Sequence, residues 1–320
     1  MRAYAIRRLA LFIPTIILAT MLVFALFWIV PGDAAYMILT GGDDDAGKVS
    51  LEQLDKLRKD LGLDQPIHIQ YGRWVWDILR GDLGTSIWYR VPVWEELESR
   101  FYVTIELAVI AIMMAIVAAI PLGIISAVNQ DSLGDYSSRI FTLIGIALPT
   151  FWFGILMIYG LAYFVGWLPP LGYARLWADP WTNLQQMFFP AICLAFNDLA
   201  FTARVTRSTM LEVMREDYMR TARAKGLKET LVIGRHALRN ALLPVVTISG
   251  YQFAGMLGGV IIVESIFVVP GMGTLLIDSI IHRDFVTLQA IVLLIAAVTL
   301  SVNLVIDLAY GFLDPRIRYR

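Results

Sequence analysis

Apolar and polar residues are gathered into long blocks along this chain. Leu9 to Val30 is a run of 22 residues without a charge. As a helix rising 1.5 Å per residue it is about 33 Å long, enough to cross a hydrocarbon core of about 30 Å. Leu107 to Val128 is a second such run, and a third starts at Ile140 and meets no charge until Arg175. A weaker fourth, Leu184 to Ala203, contains Pro190, Asn197 and Asp198. Ala241 to Val263 and Phe285 to Ile306 complete the series. The pattern predicts an all-α membrane protein with six spans, at 9–30, 104–128, 139–165, 184–203, 241–263 and 285–311. Six spans put both termini on one side.

The cationic residues orient the spans. Arg2, Arg7 and Arg8 precede the first, and Arg316, Arg318 and Arg320 follow the last. The 204–240 segment holds Arg204, Arg207, Arg215, Arg220, Arg223, Lys225, Lys228, Arg235 and Arg239, whereas 166–183 holds Arg175 alone and 264–284 holds Arg283 alone. The positive-inside rule then places residues 1–8, 204–240 and 312–320 in the cytoplasm and 264–284 outside. Residues 31–103 form a large external segment, long enough to be translocated whatever its charge. The first span is too long for the apolar part of a cleaved leader and is expected to stay as a signal anchor.

Composition agrees: of 320 residues 58% are hydrophobic and 17% charged, with a mean hydropathy of +0.66. Soluble domains carry about 25% charged residues. One cysteine excludes an intramolecular disulfide scaffold. The net charge of −1 gives no field that would attract nucleic acid. It conceals an acidic 31–100 segment (8 basic, 13 acidic) and a basic 204–240 segment (9 basic, 4 acidic).

Within the external segment, residues 43–64 have a helical pattern, with Leu51, Leu54, Leu57 and Leu61 three to four apart. Residues 71–102 carry Tyr71, Trp74, Trp76, Trp88, Tyr89, Trp94 and Tyr102 and are expected to lie at the membrane surface, where such rings are favoured. The stretch Gly42-Asp43-Asp44-Asp45-Ala46-Gly47-Lys48 imitates a phosphate loop. Val49 stands where Mg²⁺ needs a hydroxyl, three carboxylates would repel phosphate, and no strand precedes it, so nucleotide binding is not expected. His68, His236 and His282 fall on different sides of the bilayer, which speaks against a shared metal site. Cys193 is expected to be a packing residue. No nucleophile–base set is visible, and no enzyme is expected.

Glu106, Asp198 and Asp307 are ionisable groups in or near the spans, each within about two turns of an expected end. Intramembrane carboxylates are functional candidates by default, although a structural role is the simpler reading here. Asn303 and Asp307 share a face at i, i+4, which suits an interhelical hydrogen bond. Gly255 and Gly259, with Gly258 beside them, have the small-residue spacing of close helix packing, or would form a smooth wall along a pathway.

The 204–240 segment is the most informative. Thr209 to Lys225 has good helix formers and neither Gly nor Pro, so an unbroken helix is expected there, stopped by Gly226. It contains Asp217-Tyr218-Met219-Arg220-Thr221-Ala222-Arg223-Ala224-Lys225-Gly226. The alanines leave room for a partner's groove.

Here the chain resembles the permease subunits of ATP-binding-cassette importers, and within them the first permease subunit of the dipeptide/oligopeptide group. The resemblance runs over nearly the whole chain. It rests on Arg7-Arg8, Pro31-Gly32-Asp33, Gly81-Asp82-Leu83-Gly84-Thr85-Ser86, Pro92-Val93, Thr104-Ile105-Glu106-Leu107 and Leu148-Pro149-Thr150-Phe151. It continues with Ala203-Arg204-Val205-Thr206-Arg207-Ser208, Asp217-Tyr218, Thr221 to Gly226, Glu264-Ser265-Ile266-Phe267, Pro270-Gly271-Met272-Gly273, Arg283-Asp284 and Asp314-Pro315-Arg316. It implies that Asp217, Tyr218, Arg220, Thr221, Ala222, Arg223, Ala224, Lys225 and Gly226 form the coupling helix that docks on an ATPase. Of that family's E-A-A-x₃-G-x₉-I-x-L-P pattern the chain keeps Ala222, Gly226, Leu243 and Pro244. It has Arg220 and Thr221 where Glu and Ala stand. The implied partners are a second, homologous permease subunit, two cytoplasmic ATPase subunits that bind the ATP, and an external substrate-binding protein. The chain itself would carry no cofactor and sit in the inner membrane. The rival reading is a proton-coupled secondary transporter of small solutes.

Overall fold

The computed structural model describes residues 2–29, 35–36, 39, 50–60 and 62–313. Among them the regular elements are all helical: α1 (Arg2–Ile29), α2 (Leu51–Asp60), α3 (Ile67–Leu79), α4 (Val93–Val128), α5 (Leu133–Ala147), α6 (Thr150–Gly160), α7 (Pro180–Met214), α8 (Asp217–Ala224), α9 (Glu229–Leu231), α10 (Leu238–Phe267), α11 (Met272–Ile281) and α12 (Phe285–Leu313). A π-helical turn, Leu161–Val165, extends α6, and another, Val232–Ala237, joins α9 to α10. The Gly42 to Val49 stretch, Pro31-Gly32-Asp33, Leu61, Asp314-Pro315-Arg316, Arg318 and Arg320 lie outside the described residues.

The core is built where α4, α7 and α10 meet. Leu107, Ala108, Ala111, Ile112 and Ala115 of α4 are buried against Met187, Ala191, Cys193 and Leu194 of α7 and Met256, Leu257, Val260 and Val263 of α10. The alanine row lets backbones approach closely, the usual basis of helix packing in lipid, where apolar contact alone gives no driving force. α4 and α7 also come close at Gly123, where an added Cβ would lie 2.5 Å from Thr206 Cβ and 2.8 Å from the Ala203 carbonyl. α1 stands apart, touching α12 and α3. Its Leu11, Leu18, Leu22 and Leu26 stay exposed, as lipid-facing side chains should.

Among the described residues five helices are long and apolar enough to cross a bilayer: Tyr4–Leu26, Val93–Val128, Pro180–Met214, Glu229–Gly258 and Phe285–Ala309. Two further pairs are bent. The span expected at 139–165 is broken into α5 and α6, which turn by 105° at Leu148-Pro149. Leu148 is extended (φ −78°, ψ 124°), the conformation that a following proline imposes. The second correction concerns 264–284, expected to be a loop. It contains α11, folded back at 84° against the end of α10 and packed on α12 and α4.

The long helices also run past their expected ends. α4 begins at Val93, so Trp94 and Tyr102 of the aromatic stretch belong to its first turns. Tyr71 and Trp74 of α3 pack on Phe24 of α1, with ring centroids 5.5 and 5.6 Å away. α7 extends from Pro180 to Met214, capped by Asp179, whose carboxylate accepts from Thr182 N (3.1 Å) and Oγ1 (2.6 Å) and is thereby held below the usual aspartate range. That extension puts Asp198 near the middle of a helix, not within two turns of its end.

Candidate functional site

Beyond Met214 the chain turns at Arg215-Glu216 and starts α8, so the unbroken helix expected over Thr209 to Lys225 is in fact two. Burial sets the break, because the turn aims Met219 and Ala222 inward. These two, three residues apart on one face, pack with Met210 of α7, Ala127 of α4, Val232 and Ala237 of the π turn, and Ala241 of α10. The π turn widens the helix locally and brings Val232 and Ala237 onto the same platform. Three separate stretches of chain, in α4, in α7 and across the π turn into α10, thus support one helix of two turns.

The opposite face of α8 carries Asp217, Tyr218, Arg220, Thr221, Arg223 and Ala224, all exposed. Gly226 ends the element with φ +73°, a left-handed conformation that glycine adopts without strain. Two side-chain ties fix the helix at its ends. Asn240 Nδ2 donates to the Tyr218 hydroxyl at 2.8 Å, and Arg223 Nη2 bonds Glu229 Oε1 at 2.9 Å. The second tie raises the Arg223 pKa further above its ordinary value. Both groups are solvated, so its contribution to stability is small. Ala222, expected on the docking face, is buried and faces the platform. Ala224 is the outward alanine.

Behind the platform a charged pair locks α5 to α7. Asp135 is fully buried and accepts from Arg207 Nε and Nη2, each at 2.8 Å, from Ser126 Oγ at 2.5 Å and from Asp131 N at 3.1 Å. Sequence reasoning noted Arg207 as part of a motif and missed its partner. The signal was present: Asp135 is an acidic residue in a short segment between two apolar runs, where cations are the rule.

The other end of the bundle is closed by two carboxylates. Glu264, at the corner between α10 and α11, is buried. It accepts from Thr104 Oγ1 at 2.5 Å, Gly273 N at 2.7 Å and Thr274 N at 3.3 Å, while Met272 N donates to Thr104 Oγ1 at 2.8 Å. The glycines of Pro270-Gly271-Met272-Gly273 are required by this packing. A Cβ on Gly271 would stand 2.1 Å from Glu264 Oε1, and one on Gly273 2.4 Å from Ile261 Cα. Asp284 caps α12 and accepts from Thr287 Oγ1 (2.8 Å) and Thr287 N (3.2 Å), and from Ser86 Oγ at the start of the 86–92 turn.

Of the remaining candidates, Glu106 accepts from the Tyr173 hydroxyl and from Asn183 Nδ2 (2.8 Å), joining α4 to the start of α7. Asp307 pairs with Arg8 Nη1 at 2.8 Å and accepts from the Tyr251 hydroxyl at 3.4 Å, binding α12 to α1 and α10. Asn303 Oδ1 is buried with no hydrogen-bond partner among the described residues. Gln252 bridges α10 to α7, donating to the Asp198 carbonyl (3.4 Å) and accepting from Thr202 Oγ1 (2.8 Å). Gly255 and Gly258 meet nothing within 4 Å and lie on an exposed face of α10. Gly259 belongs to the same helix.

Comparison with known proteins agrees with this arrangement. Residues 119–319 match the family described as binding-protein-dependent transport system inner membrane component, and residues 1–108 match its N-terminal companion family. The chain is similar to the glutathione transport system permease protein of Salmonella paratyphi A, 41% identical over 317 residues and 99% of each chain. It is also similar to the dipeptide transport system permease protein of Escherichia coli (strain K12), 40% identical over 343 residues and 100% of each chain. A solved amino acid ABC transporter crystallised with histidines shares the fold, with a TM-score of 0.55 and 17% identity over 68% of this chain and 94% of that one. The chain therefore belongs to the binding-protein-dependent transport system inner membrane component family, the multi-pass permeases of ABC importers.

Proposed function

We propose that this chain forms half of the translocation pathway of an ATP-driven importer of dipeptides or oligopeptides. It is driven through α8 by cytoplasmic ATPase subunits, which hold the ATP, and carries no cofactor or ATPase site of its own. The observation that carries the reading is the two-sided α8. Its inner face is pinned to α4, α7 and α10, and its outer face, with Asp217, Tyr218, Arg220, Thr221, Arg223 and Ala224, is exposed. A helix held in this way transmits displacement to the bundle. It does so only if the ATPase contacts differ between two states, since equal contacts shift no equilibrium.

In this reading α8 and both termini are cytoplasmic, in accord with the basic 204–240 segment, and the Glu264 and Asp284 end faces outward, where a substrate-binding protein would dock. A second permease subunit would cover the open face of α10 at Gly255 and Gly258. A peptide substrate fits the two bacterial relatives, one named for glutathione transport and the other for dipeptide transport.

The test is uptake by the complete importer in proteoliposomes. Ala224→Glu places a charge on the outer face and is expected to lower ATP-dependent dipeptide uptake by roughly tenfold or more, about 1.4 kcal/mol of coupling. ATPase activity and membrane insertion should remain. Undiminished uptake sinks the coupling assignment. Uptake that needs no ATPase subunit and collapses with the proton gradient would favour a secondary transporter, with Asp198 as its first suspect.

A further inference from the structure

Beside the Asp135–Arg207 pair lies a cavity of about 320 Å³ between α4, α5 and α7. It is lined by Ser138, Arg139 and Thr142 from α5 and by Arg204, Arg207 and Ser208 from α7, so each of these walls carries both hydroxyls and cations. The Arg207 guanidinium is held by Asp135 through two bonds of 2.8 Å, so its charge is balanced. Arg139 and Arg204 are not balanced. Neither has an acidic partner among the described residues, and Arg139 lies over the Tyr136 ring, 5.6 Å from its centroid. Two unneutralised arginines therefore line a pocket that also presents the hydroxyls of Ser138 and Ser208. That is a recognition set for a phosphate oxyanion.

The surroundings indicate which phosphate. Directly beyond Arg139, α5 exposes Ile140, Leu143 and Ile144, and α7 exposes Phe201 just before Arg204. Leu143 itself lines the cavity. The pocket thus sits where a lipid-facing apolar surface gives way to cations, at the level of a headgroup. Its volume is at the low end for a small-molecule site, enough for a phosphate and glycerol but not for a folded peptide chain. We propose that this cavity binds the headgroup of an anionic phospholipid, with the phosphodiester between Arg139 and Arg204 and the acyl chains along Ile140, Leu143 and Ile144. Basic pockets between transmembrane helices are a known form of lipid recognition. Because the cavity adjoins the α5–α7 lock and the α8 platform, its occupancy would fix α5 against α7 during transport.

The experiment compares delipidated importer returned to nanodiscs of phosphatidylethanolamine alone or with phosphatidylglycerol, reading retained lipid by native mass spectrometry. Wild type is expected to retain phosphatidylglycerol in preference. Arg139→Gln/Arg204→Gln is expected to lose roughly twentyfold in that retention, since each cation near an anionic surface is worth about fivefold. Arg235→Gln/Arg239→Gln removes the same charge elsewhere and should retain the lipid. Ser208→Trp keeps every charge but fills the pocket, so it should lose the lipid even if the arginine variant proves unstable. Equal retention by wild type, the Arg139/Arg204 variant and the pocket-filled variant overturns the proposal. Loss in the control pair to the same extent also overturns it, as does displacement of the lipid by millimolar inorganic phosphate, which would identify a free anion as the ligand. None of these readouts depends on peptide uptake, so the site and the transport function can fail separately.

Discussion

At the scale of single residues, chemistry that looked like punctuation in the sequence is geometric necessity. Gly271 and Gly273 stand in the sequence only as part of a marker of the family resemblance, but the structure gives each a specific obstacle: the Glu264 carboxylate and the Ile261 backbone. Gly273→Ala must move backbone, and it is expected to destabilise the purified chain by about 1–3 kcal/mol, read as a lower melting temperature. Gly255→Ala meets nothing within 4 Å. In the isolated chain it should be neutral or stabilising by up to about 1 kcal/mol. A large loss from Gly255→Ala that appears only in the assembled importer would mark that face as buried by another subunit. The sequence showed where small residues cluster but not which of them are crowded, because crowding is a property of the neighbour.

At the scale of elements, long helices were legible and breaks were not. Pro14, Pro121, Pro190 and Pro244 all lie inside helices, whereas Pro149 marks a 105° bend. A proline frees backbone groups, and adjoining helices in a bundle can satisfy them again, so the residue alone decides nothing. The break at Arg215-Glu216 has neither Gly nor Pro to announce it. Its cause is the burial of Met219, on a platform assembled from residues up to 114 positions apart in the chain, Ala127 to Ala241. Met219→Ala would empty that socket and cost about 2–4 kcal/mol. Amide exchange over Asp217–Ala224 should accelerate while the α4 core remains protected. Faster exchange throughout the bundle would mean that the platform is not a local unit. Ala222→Glu, in contrast to Ala224→Glu, buries a charge against the platform and should fail at folding of α8, before any ATPase is engaged.

At the scale of the molecule, motifs scattered along the chain meet in space. Ser86 reaches Asp284 and Thr104 reaches Glu264 at one end, while Asp135 reaches Arg207 at the other. Apolar patterning places a helix in the bilayer but says little about its neighbours, so these pairings could not be read from periodicity. Asp135→Asn leaves Arg207 with half its partner removed, and is expected to cost about 3–5 kcal/mol in thermal unfolding. The double change Asp135→Leu/Arg207→Leu should recover most of that loss. A single Asp135→Asn variant as stable as wild type would show that the pair is not what joins α5 to α7.

Helical backbone runs without a gap from Glu229 through the π turn to Phe267, about 58 Å at 1.5 Å per residue. One end of this rod supports Met219 and Ala222, and the other turns at Glu264. The α8 platform and the Glu264 corner are therefore carried on one continuous run of helix. In the proposed importer a tilt imposed beneath α8 is expected to reach the Glu264 corner as an opposite displacement, with no relay of side-chain switches between them. Opening at one end and closure at the other would then be one motion, so that both are never open together.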